Sequence, residues 1–184
     1  MATVTEKLLT AEEFAELSDA GVPTELVRGK VVEMTSPGFH HGRICLRIAR
    51  LLDEFIEVNA LGQGTSNDSG VITARDPDSV RGPDLAFYSF ARLPQGSSPI
   101  GYPNVAPDLI FEVLSPSDRW SLIHAKVAEY HAAGVSAVCI LDSRMNRIHI
   151  YREDVPPEVI GLDDTFTIPE ILPGFSFPLR RIFG

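Results

Sequence analysis

The sequence predicts a mixed fold of the α/β (α+β) class, and three observations carry that prediction. Apolar residues recur at helical spacing in two segments, as Ile44, Ile48, Leu51 and Phe55 and again as Trp120, Ile123, Val127 and Tyr130. Short β-branched or apolar runs, bounded by Gly, Pro, Asn and Asp, lie between and around those segments. The chain has 184 residues and no internal repeat, low-complexity stretch or linker, so one domain over 1–184 with its core over about 9–183 is expected.

Taken in order, Thr10 is an N-cap with Glu13 as its capping-box partner, and Leu9 with Phe14 forms a hydrophobic staple. Gly21 and Pro23 are expected to stop that helix. Val27 and the pair Val31, Val32 flank Arg28-Gly29-Lys30, which predicts two strands joined by a tight turn. A long helix follows Ser36-Pro37-Gly38 and is expected to run to Leu61-Gly62; the stretch 64–70 is small and polar. Val71–Ala74 and the run 83–88 are expected to pair as strands across the turn Asp76-Pro77-Asp78. Segment 94–107 is loop by composition. The run 108–114 fits a central strand covered on both faces, followed by the second helix with Gly134 as its stop. A hairpin over 137–151 and a proline-punctuated tail complete the chain.

Composition excludes several function classes. Lys and Arg number 16 against 25 Asp and Glu, a net charge of −9, which argues against a nonspecific polyanion binder but leaves room for a local basic groove. No apolar run approaches the ~20 residues that cross a bilayer, and no signal peptide is visible, so a cytoplasmic location is expected. Cys45 and Cys139 lie in apolar periodic segments and are expected to be reduced. His124, His131 and His149 have no zinc-site spacing, and neither a phosphate loop nor a serine-hydrolase elbow is present.

Chemistry concentrates in three residues. Period-two alternation puts Asp108, Ile110, Glu112 and Leu114 on one face of the central strand, so Glu112 sits among apolar neighbours. A carboxylate buried there needs a cation, a metal or a proton. Lys126, at the border of the second helix's apolar stripe, is the candidate cation. Asp84 follows Pro83 at the start of a strand, where it caps a turn or faces a ligand. Asp84, Glu112 and Lys126 are the set that metal-assisted phosphodiester hydrolysis requires: two hard oxygen ligands and a lysine near the attacking water. Asp108, two pleats from Glu112, is expected in a supporting or turn role. His40 and His41, at the start of the long helix, are positioned to touch phosphate or orient water, or are simply exposed.

The order of these motifs resembles a known family. Thr24-Glu25-Leu26, Arg28-Gly29-Lys30, Gly82-Pro83-Asp84, the run 107–117 (Pro-Asp-Leu-Ile-Phe-Glu-Val-Leu-Ser-Pro-Ser), Lys126-Val127-Ala128-Glu129-Tyr130 and Ala133-Gly134-Val135 are similar to the Uma family of restriction-endonuclease-like proteins, PD-(D/E)XK nucleases. The resemblance spans about 9–183. It implies a restriction-endonuclease-like core, a mixed central sheet flanked by helices. It also implies Mg²⁺ or Mn²⁺ held by Asp84, Glu112 and the main-chain carbonyl of Val113, with Glu25 completing the acidic cluster and Lys126 acting on the water or the transition-state charge. The lysine usually stands two residues after the glutamate; Leu114 is there in this chain, and the family places it on the following helix. The turn Arg28-Gly29-Lys30 departs from the family's acidic Asp-Gly-Glu.

The function expected is therefore a Mg²⁺-dependent endonuclease hydrolysing phosphodiester bonds in DNA. The rivals are a noncatalytic binding or assembly module on the same fold and a nuclease active only within a complex. Arg43, Arg47, Arg81 and Arg119 are candidate contacts to a nucleic-acid backbone. A homodimer is expected from the edge strands of the 137–151 hairpin and the apolar tail 171–183.

Overall fold

The computed structural model describes residues 7–17 and 22–184; Gly21, the expected stop of the first helix, lies outside them. Helix α1 (Ala11–Ala15) starts at the expected capping box: Glu13 N donates to Thr10 Oγ1 at 3.2 Å and Thr10 N donates to Glu13 Oε2 at 3.1 Å. Strands β1 (Thr24–Val27) and β2 (Lys30–Glu33) form the expected antiparallel hairpin. Its turn residues Arg28 and Gly29 both have positive φ, and a Cβ on Gly29 would meet Leu8 Cβ at 2.6 Å, so only glycine fits there.

Helix α2 (Phe39–Val58) turns Ile44, Ile48, Leu52 and Ile56 inward. It stops at Val58, short of Leu61, and the chain enters strand β3 (Gly62–Ser66) where the sequence suggests only a polar segment. A Cβ on Gly62 would lie 2.0 Å from the Tyr88 carbonyl, so the glycine permits the close pairing.

The pairing expected for Val71–Ala74 is corrected. Strand β4 (Val71–Ala74) pairs with β5 (Ser79–Arg81), a three-residue strand squeezed between the Asp76-Pro77-Asp78 turn and Gly82-Pro83. Strand β5 in turn joins β1, giving a four-stranded antiparallel sheet of order β2-β1-β5-β4. Strand β6 (Leu85–Ser89) belongs to a different sheet, between β3 and β7 (Leu109–Val113). From β7 the chain crosses through α3 (Trp120–Ala132) to β8 (Ala137–Asp142), which lies parallel to β7. Strands β9 (Arg147–Arg152) and β10 (Glu158–Ile160) finish the mixed sheet, of order β10-β9-β8-β7-β6-β3. The hairpin β11 (Thr165–Thr167) and β12 (Ser176–Pro178) and the short helix α4 (Arg180–Phe183) close the fold.

The larger core lies between α2, one face of the six-stranded sheet and the tail, whose Phe166, Phe175, Phe177, Leu179 and Ile182 are buried in it. A smaller core under α3 covers the other face with Ile110, Val127, Tyr130, Val138 and Ile140. A third cluster, Ala11, Phe14, Leu26 and Val80, holds α1 to the four-stranded sheet. Strand β7 is buried along its whole length, as the apolar run 108–114 predicts. The premises for a homodimer do not hold in this arrangement: β8 and β9 are interior strands, with β10 and β3 at the edges, and much of the tail is spent on the core. Both cysteines are free. Among the described residues no helix is long and apolar enough to cross a membrane.

Candidate active site

Two strands and two helices converge where β6 begins and β7 ends. Strands β6 and β7 are antiparallel with Leu85 opposite Phe111, and continuing that register by one residue places Asp84 beside Glu112. Asp84 Oδ2 accepts a hydrogen bond from Val113 N at 2.6 Å, which fixes the carboxylate against the end of β7. Its other oxygen lies 3.3 Å from His41 Nε2 on the first turns of α2.

Glu112 points to the α3 side, as the alternation of β7 requires. Its Oε1 accepts from Lys126 Nζ at 2.8 Å and from Tyr130 OH at 2.7 Å, two side chains four residues apart on one face of α3. Both of these contacts fall on the same carboxylate oxygen. Lys126 Nζ also reaches Glu25 Oε1 at 3.1 Å, so the lysine joins β1 to β7. Glu25, 4% exposed, is further held by Arg81 at 2.8 Å and by the Gly82 amide at 3.1 Å. Arg81 forks onto Glu129 with Nε at 3.0 Å and its terminal nitrogen at 2.7 Å, and Thr73 Oγ1 donates to the same carboxylate. Thr73, Glu129, Arg81, Glu25, Lys126 and Glu112 thus form one continuous chain of charge and hydrogen bonds from the small sheet to the large one.

The electrostatics follow from burial and pairing. Burial pushes the Glu112 carboxyl up to about 7; Lys126 pulls it down and the charge of Asp84 adds to the rise. For Lys126, burial works against the ammonium, but Glu112 and Glu25 outweigh it and the lysine keeps its proton. Burial opposes ionisation of Glu25 as well, yet Lys126 and Arg81 hold its carboxyl below the usual range. The hydrogen bond to Asp84 raises His41 above the ordinary imidazole value, against the opposing effect of burial. Burial and the nearby Asp84 charge raise Asp68, in the loop between β3 and β4; a Cβ on Gly82 would touch Asp68 Cβ at 2.9 Å.

Glu25, Asp84, Glu112, Val113 and Lys126, the residues singled out from sequence, are brought into this one corner. The others are distributed differently. Asp108 stands at the opposite end of β7, accepting from Ser89 N at 2.7 Å and pairing with Arg92 at 2.9 Å, which is the supporting role. His40 is exposed at the start of α2. Arg81 is enclosed in the ion-pair chain, so its expected role as a backbone contact is withdrawn. Arg119 is the N-cap residue of α3.

Sequence patterning does not reveal several participants. Tyr130 reads as part of an apolar stripe, and its hydroxyl instead serves Glu112. His41, Cys45 and Asp84 have ligand atoms within 4.8 Å of one another, a cluster that the absence of zinc-site spacing does not anticipate. The available signal is the four-residue separation of His41 and Cys45, which puts them on one side of α2 next to the inward Ile44 and Ile48. The site fits a divalent cation: Asp84 and Glu112 stand side by side at the ends of adjacent strands, and burial together with the charge of Asp84 raises Glu112 against the pull of Lys126, an imbalance that a bound cation would relieve.

A family model named Uma2 and described as "Putative restriction endonuclease" matches residues 11–180. The fold is similar to a crystal structure from Anabaena variabilis ATCC 29413 described as "a putative nuclease belonging to DUF820". The TM-score is 0.82 at 17% sequence identity, covering 95% of this chain and 97% of that chain. At that identity the likeness is one of fold, and it agrees with the mixed sheet and flanking helices expected from sequence. No curated protein matches the chain.

Proposed function

Since the chain belongs to the Uma2 family of restriction-endonuclease-like proteins, we propose that it is a Mg²⁺- or Mn²⁺-dependent endonuclease hydrolysing phosphodiester bonds in DNA. The observation that carries this reading is the meeting of Asp84, Glu112, Lys126 and Glu25, from four separate elements, in one largely buried corner.

Asp84 and Glu112, with the Val113 carbonyl, would hold the ion, and His41 is placed to add a nitrogen ligand or to hold Asp84 in position. Bound there, the ion supplies positive charge against the scissile phosphate and lowers the pKa of water. Lys126, kept protonated between two carboxylates, serves as a fixed positive charge for the attacking water and the developing charge on phosphorus oxygens rather than as a base. Glu25 orients that lysine, and Arg81 with Glu129 orients Glu25. Tyr130 donates to the same oxygen of Glu112 that Lys126 holds and so helps to fix that carboxyl in place.

Plasmid cleavage by the purified protein with Mg²⁺ or Mn²⁺ tests this reading, alongside Asp84→Ala, Glu112→Ala and Lys126→Ala. Metal-dependent nicking that disappears in the variants supports it; inactivity of the wild type across divalent ions, or equal cleavage by the variants, refutes it. One observation favours a second reading, a noncatalytic module on this fold: Lys126 and Arg81 already pair with Glu25, and Lys126 with Glu112, without an ion. Calorimetry separates the two, because a module of that kind takes up no Mg²⁺ or Mn²⁺ dependent on Asp84 and Glu112. Ion uptake without cleavage points instead to a nuclease that acts inside a complex.

A further inference from the structure

A chain with net charge −9 spends many of its cations on its own carboxylates: Arg75, Arg81, Arg92, Lys126, Arg152 and Arg180 are each ion-paired. One groove gathers arginines that are not spent in this way. Arg43, Arg47 and Arg50 on α2 and Arg181 on α4 line a groove together with Leu46 and Leu51, and no acidic residue lines it. None of these four arginines pairs with a carboxylate among the described residues. Arg43, Arg50 and Arg181 are exposed; Arg47 is half-buried and anchored by a 2.8 Å hydrogen bond to the Ile182 carbonyl, which ties α4 to α2.

Four guanidinium groups gathered without a carboxylate among them repel one another, and of the four only Arg47 is tied to the fold by a hydrogen bond, so the arrangement calls for an anionic occupant. Its spacing says which. Along α2, Arg43 and Arg47 are ~6 Å apart and Arg43 and Arg50 ~10 Å, the scale of two to three successive phosphates of one strand at ~3.4 Å per nucleotide. The two leucines give the floor of the groove an apolar character that suits sugar edges better than a single free ion. We propose that this groove between α2 and α4 binds the phosphate backbone of nucleic acid, as a holding site separate from the cluster around Asp84.

The separation follows from the helix. Arg43 lies two residues after His41, about 200° around α2, so the arginine row and the side chain facing Asp84 project from opposite sides of one rigid rod. The groove therefore adds affinity without entering the chemistry. This inference rests on the nucleic-acid part of the proposed function, but its test is independent of cleavage.

Anisotropy of a short labelled DNA duplex, titrated with the full-length protein in EDTA at several salt concentrations, reads binding alone. The variant Arg43→Gln/Arg50→Gln/Arg181→Gln leaves the anchoring Arg47 in place. A charge-matched control, Lys7→Gln/Arg28→Gln/Arg147→Gln, removes as much positive charge elsewhere. The groove variant is expected to bind about tenfold or more weakly, with the slope of log affinity against log salt reduced by roughly 0.9 for each phosphate that is no longer neutralised. The control is expected to bind like the wild type. Equal weakening in groove variant and control, unchanged binding by the groove variant, or no binding by the wild type overturns the proposal. So does a groove variant that loses self-association by light scattering rather than DNA binding, since the occupant is then a second acidic copy. Groove-dependent binding without metal-dependent cleavage would leave the groove standing and refute the nuclease; cleavage by a protein whose groove variant binds normally would do the reverse.

Discussion

Alternate residues of β7 face two quite different environments. On one face Leu109, Phe111 and Val113 pack into the large core with α2 and the tail, where Phe111 and Phe166 stand 5.7 Å apart and Phe166 stacks on Phe177 at 4.9 Å. On the other, Ile110 joins the smaller core under α3, and Glu112, two residues along, meets a lysine and a tyrosine rather than an apolar side chain. The first face resists deformation because every neighbour is apolar and close-packed. The second puts its one carboxylate where the rigidity of the first face holds it still. Stability and chemistry are thus divided between the two sides of a single five-residue strand.

The largest effect that tests this division is on cleavage. Glu112→Gln keeps size and burial, and metal-dependent cleavage is expected to fall by at least about 100-fold with the melting temperature little changed. A large loss of stability with retained cleavage would invert the comparison. On the opposite face, Phe111→Ala is expected to cost about 3–5 kcal/mol in denaturant unfolding, while metal uptake by the folded fraction stays as in the wild type.

Between these lies Lys126→Met, which leaves Glu112 and Glu25 without their shared ammonium in a largely buried site. A cost of about 3 kcal/mol, together with weaker retention of Glu25 in the site, is the expected result of chemical unfolding; a stabilised protein would mean the carboxylates escape to solvent. Tyr130→Phe removes one donor to Glu112 and is expected to cost about 1 kcal/mol, with the Glu112 carboxyl moving further upward by carboxyl-sensitive NMR.

The smallest effect concerns pH. The folded-state carboxyl of Glu112 at about 7 lies above the ordinary 4.5, so the folded state holds that proton more tightly than the unfolded one. Its contribution to the ion-free protein is complete below 4.5 and is lost as pH rises through about 7. Divalent ions are therefore expected to raise the melting temperature more above pH 7 than below it, and a pH-independent rise would place the ion elsewhere.

Much of the fold and of the site is legible in the sequence, for a physical reason. The capping box, the hairpin turn, the inward isoleucines of α2 and the alternation of β7 are local patterns, and each forms as its own residues dictate. What stays hidden depends on distant partners. Strand β5 has three residues, too few to show a period, and exists because β1 and β4 flank it. Strand β3 contains two glycines that make it look like a loop until β6 is placed against it. Arg81 carries no sign in sequence that Glu25 and Glu129 will surround it, and Tyr130 looks like any apolar-stripe residue until Glu112 is opposite.

The chain of charge from Thr73 to Glu112 ties the site to the four-stranded sheet as well as to the large core. Glu25 and Arg81 ride on the four-stranded sheet, which α1 holds through the small cluster of Ala11, Phe14, Leu26 and Val80 with Leu9, Ile72 and Tyr102 packed against it, whereas Asp84 and Glu112 ride on the six-stranded sheet over the large core. Local opening of the small sheet takes less free energy than global unfolding, and it would carry Glu25 and Arg81 away while leaving the two carboxylates in place. Amides of β1 and β5 are then the ones whose hydrogen exchange keeps time with the loss of a positioned lysine, long before those of β7 exchange at all.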